Sequence, residues 1–182
     1  MKFLCFDVVN IVAASGELAG DSAAIEPEAP SMRIFQLHHE LAERELCKKL
    51  LQLSVLVRTF DDIASNSARS DEYAEYAKQT SGKNEIGALD VDGKPVDFNL
   101  REACNKIIHA QEIRAGYDDV VRFSGDNEVV CRRWYCDGRV ELKGIQNKKR
   151  WEASVYVADF VETVLERIDF AWPEQRRGNS AA

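Results

Sequence analysis

The chain has no C-x-x-C pair, no glycine-rich phosphate loop and no internal repeat. The first absence, with three histidines not spaced to complete a Cys/His ligand set, leaves no zinc site to name. The second argues against nucleotide-binding P-loop and dinucleotide enzymes. Basic charge is also short. The 24 Lys and Arg stand against 31 Asp and Glu, a formal charge of −7, which argues against attraction of the whole protein to nucleic acid or an anionic membrane. Only a local basic face remains open. The five cysteines are odd in number and lack framework spacing, so they read as reduced thiols of a cytoplasmic protein. No apolar run reaches the ~18 residues that span a bilayer. The opening residues carry Lys2 and small residues near Ala14, as a signal peptide would, but Asp7 and Asn10 interrupt the apolar run. No membrane partner, metal or cofactor is expected.

What is present is an ordinary globular composition: 182 residues, 45% hydrophobic and 30% charged, enough for one well-formed core. Residues 1–14 fit a short helix or a strand, and Gly16 to Ser31 reads as a linker. From Met32 to Ala64, Phe35, Ala42, Leu46, Leu50, Leu53, Val57, Phe60 and Ala64 form a continuous helical seam. Around Leu50 to Val57 apolar residues go nearly all round, which predicts a central helix covered on several sides. A weaker helix is expected over Glu72 to Lys78, then a loop or small hairpin with Asp92-Gly93. Asn99 with Glu102 makes a capping box for a helix from Leu100 to about Gln111. The segments 128–136, 139–145 and 150–155 are β-prone, with Asp137-Gly138 as a hairpin signal. Alternation puts Val140, Leu142, Trp151, Ala153 and Val155 on a dry face and Arg139, Glu141, Lys143, Arg150 and Glu152 on the other. Val157, Phe160, Val161, Val164, Leu165 and Ile168 predict a final helix.

The chemistry concentrates in Asn99 to Ala110. Arg101, Asn105 and His109 fall at steps of four, so a helix carries them along one stripe beside the apolar seam of Leu100, Ala103, Cys104, Ile107 and Ile108. A cation, an amide and an imidazole on one helix can hold and attack a phosphodiester. The bland alternative is an amphipathic helix whose Asn and His bridge neighbouring loops.

The run Leu-Arg-Glu-Ala-Cys-Asn-Lys-Ile-Ile-His-Ala resembles the signature helix of HEPN-domain proteins, small helical bundles that include RNA-cutting toxins and antiviral effectors. Asn105 and His109 match the Asn-x-x-x-His part in type and spacing; the family's Arg position is Cys104, and the nearest upstream arginine is Arg101. Arg101 is two helical turns from His109, a rise of ~12 Å. The resemblance implies metal-independent RNA cleavage, with His109 as general acid or base, Arg101 or Lys106 stabilising the phosphoryl charge and Asn105 orienting. It also implies a homodimer, in which an arrangement in trans brings the groups together.

Elsewhere, seven basic residues oppose three acidic ones between Cys131 and Ala153. Of these, Arg132, Arg133, Lys143, Lys148, Lys149 and Arg150 are the candidate RNA-binding set, against the alternative of an edge sheet guarded by charge. On the long helix His39 and Glu43, and Glu40 and Arg44, are spaced i, i+4 and read as a solvated face. Arg58, near Asp61 and Asp62, reads as an architectural ion pair or as a cation lent to Asn105 and His109.

The expected fold is α+β: a HEPN-like helical bundle with a three-stranded antiparallel β-meander before the last helix. Residues 1–31 are assigned to an N-terminal segment and linker. A single domain follows over 32–172, with helices over 32–112, the meander over 113–156 and the final helix over 157–169, and 173–182 is a polar tail. The function that the resemblance implies is RNA binding, with metal-independent endoribonuclease activity if the site is active, in a bacterial defence or toxin–antitoxin system. The alternative is a catalytically inactive scaffold that binds a protein partner such as an antitoxin.

Overall fold

A computed structural model describes residues 1–20, 30–80, 85–123, 126 and 129–171; the expected polar tail and most of the expected linker lie outside these. In chain order the elements are α1 (Lys2–Gly20), α2 (Pro30–Ser65), α3 (Ser70–Thr80), β1 (Gly87–Val91), β2 (Lys94–Val96), α4 (Leu100–His109), β3 (Glu112–Phe123), β4 (Val129–Gln146), β5 (Lys149–Tyr156) and α5 (Val157–Ile168). The strands form one antiparallel sheet in the order β2-β1-β5-β4-β3. The helices cover one face of it. Val140, Leu142, Trp151, Ala153 and Val155 point into that layer, while Arg139, Glu141, Lys143, Arg150 and Glu152 face outward. The α+β class and the in–out alternation are those expected from the sequence.

The sheet has five strands, not three. Two of the three additional strands, β1 and β2, turn at Asp92-Gly93, where both residues have positive φ; the third is β3, and the expected strands over 128–136 and 139–145 are one, β4. The Asp137-Gly138 signal proves to be a bulge inside β4: Ala115 pairs with Val140 and Tyr117 with Cys136, so Gly116 alone opposes Asp137 to Arg139. Gly138 takes the left-handed φ of +87° that a tight turn would also need. Asp-Gly therefore carries the same local signal for either outcome. The strand continues because β3 lies alongside to receive its hydrogen bonds. The other connection expected from the sequence, Gln146 to Lys149, is the reversal between β4 and β5, with Asn147 and Lys148 both of positive φ.

The N-terminal segment also differs from expectation. Residues 16–20 are helical, not linker. By length and composition Lys2–Gly20 is apolar enough to cross a membrane, with a mean hydropathy of 1.5. In the fold one side of it buries Cys5, Val8, Ser15 and Ala19, and Asp7 is paired with Lys49 of α2 at 2.7 Å. The long helix matches its expected bounds and buries Leu46, Leu50, Leu53 and Val57. It is not covered on all sides. Leu51, Val55 and Leu56 are exposed, because α1, α4 and the sheet occupy only the opposite half of its circumference.

Trp151 shows how tightly the layers meet. Its indole lies across Gly144 of the neighbouring strand, where a Cβ would come within 2.3 Å of the ring. Glycine in mid-strand is therefore required by the close approach. Trp151→Ala is expected to cost ~3–5 kcal/mol and to lower the thermal denaturation midpoint by several degrees in circular dichroism. An unchanged melting curve would show that the indole is not part of the core.

Candidate functional site

Helix α4 begins as the sequence predicts: the Asn99 side chain accepts a hydrogen bond from the Glu102 backbone N–H at 3.0 Å. Leu100, Ala103, Cys104 and Ile107 go into the core. Asn105 and His109 then border a cleft of about 560 Å³ closed on its other side by Ile145, Gln146 and Asn147 of the β4–β5 turn. His109 is exposed and Asn105 half-buried.

Lys106 lines the same cleft but is 4% exposed and fully committed. Its ammonium donates to Gln146 Oε1 at 2.6 Å, pairs with Glu102 at 3.2 Å and lies 4.7 Å from the centre of the Trp151 ring. Three favourable contacts offset the desolvation of this charge. Lys106 is thus a clamp between α4 and the turn, not a group free to meet a phosphate.

Arg101 is elsewhere. It borders a separate cavity of about 280 Å³ with Tyr73, Lys78 and Arg167. Its guanidinium pairs with Asp62 at 3.1 Å and approaches Asp61 at 4.0 Å. Asp61 is 2% exposed and accepts hydrogen bonds from Tyr73 Oη and, at 3.3 Å, from Arg167. Burial pushes the Tyr73 hydroxyl up to about 12, and the bond to Asp61 adds to the shift. Arg58 pairs with Asp62 at 3.7 Å and borders neither cavity. The trio expected on one stripe is therefore divided between two cavities, because α2 supplies carboxylates only at the N-terminal end of α4. Cys104, at the family's Arg position, is buried, and burial with the nearby Asp61 charge pushes its thiol up to about 12. It offers neither cation nor thiolate.

The candidate basic face is divided as well. Arg133 is buried, with its guanidinium 5.3 Å from the Phe35 ring, and Arg132 pairs with Asp119 at 3.0 Å. At a strand rise of ~3.3 Å per residue these two lie roughly 40 Å along β4 from the turn. Lys143 is exposed and within 3.3 Å of Glu152. Lys148, Lys149 and Arg150 are exposed at the turn itself, next to Asn147 of the cleft. The His39 and Glu43 pair is more than a solvated face, although His39, like Glu40 and Arg44, is exposed. Glu43 accepts from the Ala115 N–H and from Tyr117 Oη, both at 3.2 Å, and His39 stacks on Phe35 and meets the edge of Tyr117. These contacts fasten α2 to β3.

Sequence reasoning missed Gln146, Asn147 and Trp151 as walls of the cleft. The signal that could have found them is Gly144, a lone glycine in a strand pattern, which marks a close approach. Among the described residues no group of three His, Cys, Asp or Glu side chains converges as a metal site. The fold and cleft define a two-layer α+β protein with a polar groove at one end of a helix. Compared with known proteins, the chain matches no family model, no curated protein and no solved structure.

Replacing Arg167 by Met is expected to destabilise the protein by ~3–5 kcal/mol, because buried Asp61 would lose its buried cation and keep only the half-exposed Arg101 at 4.0 Å. Asp61→Leu in the same chain should recover most of that loss in urea denaturation. If Arg167→Met alone were neutral, the pair would not be a structural constraint.

Proposed function

We propose that the cleft between α4 and the β4–β5 turn binds single-stranded RNA, in the manner of a HEPN-like RNA-binding protein acting in the cytoplasm. The observation that carries this reading is the juxtaposition of Asn105 and His109 with a turn whose exposed tip is Lys148, Lys149 and Arg150. The cations neutralise backbone phosphates, while the amide and imidazole hydrogen-bond to phosphate or base edges. Exposed Ile145 supplies apolar contact for an unstacked base. Trp151 is buried and does not stack one. The HEPN reading itself draws support from the packing of the long helix against the helix that carries the Asn-x-x-x-His motif.

Cleavage is the second reading, favoured by Asn105 and His109 on one wall of the cleft. In it the RNA 2′-hydroxyl attacks the adjacent phosphorus as His109 takes its proton; the P–O5′ bond breaks to leave a 2′,3′-cyclic phosphate, and the 5′-oxygen takes up a proton from water. The separation of Arg101 from this wall makes binding the stronger property. The HEPN resemblance adds a defence or toxin–antitoxin setting, in which overexpression halts growth and His109→Ala relieves the arrest.

The test is gel retardation of labelled single-stranded RNA by the purified protein in a chelator, over a salt series. Three turn cations predict a log–log salt slope of about −2. Joint replacement of Lys148, Lys149 and Arg150 by Ala should abolish retardation, whereas His109→Ala should remove cleavage products and retain binding. No retardation at low salt would overturn the RNA reading.

A further inference from the structure

The outer face of α2 carries Ile34, Leu37, Leu41, Arg44, Lys48, Leu51 and Val55, spaced alternately three and four apart without a break. The five apolar members are exposed by 57, 58, 45, 42 and 45% in that order, on the side opposite Leu46, Leu50, Leu53 and Val57. An alternating spacing of this kind is a 3.5-residue repeat, the period that keeps a seam facing a second helix. Nothing within the described residues faces it. We infer that this seam pairs antiparallel with the same seam of a second copy of the chain.

The charges choose the orientation. Parallel pairing in register would set Arg44 against Arg44 and Lys48 against Lys48 at the centre of the contact. Antiparallel pairing with Ile34 opposite Leu51 of the second copy sets Leu37 opposite Lys48 and Leu41 opposite Arg44. Each cation then lays its aliphatic stem on a leucine and turns its head outward. Glu40, exposed at the border of the seam, comes within reach of both cations of the other copy. A length of ~26 Å of helix, from Ile34 to Leu51, is covered on each chain. Within one copy Lys48 lies 3.4 Å from Glu45, and the cations of each copy are further matched by Glu40 of the other, so two identical surfaces complement one another, as a two-fold contact requires.

The experiment is sedimentation equilibrium on the full chain. A two-chain species is expected, and Leu41→Glu with Leu51→Glu should convert it to one chain that keeps the wild-type circular dichroism spectrum and a cooperative melt, since both residues are exposed in the single chain. Glu40→Lys should weaken association about tenfold or more, and adding Arg44→Glu should restore it. Orientation is read from Leu37→Cys with Lys48→Cys: oxidation should join position 37 of one copy to position 48 of the other. A wild-type chain that sediments as a monomer overturns the inference and leaves the seam to another partner. Dimers that ignore the Leu→Glu changes, or cross-links joining like positions, overturn it too.

Discussion

Asp61 is the charge around which the helices are arranged. One carboxylate of α2, 2% exposed, receives Tyr73 from α3 and Arg167 from α5, and faces Arg101 of α4 at 4.0 Å. Taking such an ion out of water costs several kcal/mol, and its partners do little more than offset that cost compared with an apolar replacement. What the arrangement provides is geometry. Three helices are held at defined positions on α2, and any shift of one leaves a buried charge short of a partner. The same attraction draws Arg101 toward Asp61 and Asp62 and separates it from Asn105 and His109.

The other end of α4 is held by a different kind of contact. Lys106 is gripped by Glu102, Gln146 and the Trp151 ring, and Trp151 in turn lies over Gly144. A helix, a turn and a strand are thereby tied through one ammonium. The clamp borders the cleft, with Asn105 and His109 on its wall and the exposed turn lysines at its edge. In the RNA-binding proposal, the long side chains of the turn meet phosphates and the amide and imidazole of the wall meet phosphate or base edges.

The elements with strong local signals were legible in the sequence. α2, α4 and α5 each carry a seam at helical spacing, and Asn99 with Glu102 marks the start of α4 through a contact only three residues long. The alternation over 139–155 told the dry face from the wet one. Asp137-Gly138 misled because a bulge and a turn ask the same positive φ of glycine, and which of them forms depends on whether a neighbouring strand is there to pair. β3 was not picked out as a strand because Gly116, Asp118 and Asp119 weaken its β signal; its ladder with β4 supplies what its propensity does not.

For the site the division is sharper. The sequence by itself determined that Arg101, Asn105 and His109 lie on one helix, one turn apart, beside an apolar seam, because helical periodicity is a local property. It also determined the cations of the 146–149 turn and the spacing of apolar residues along α2, whereas packing decided which side of α2 stays outside. Only the tertiary structure decided that Arg101 would be captured by carboxylates from thirty-nine residues away. It likewise decided that Lys106 would be buried over an indole, and that the basic residues of β4 would be split between its two ends. Those outcomes depend on which charges are brought together when the layers close, and no spacing along the chain records that.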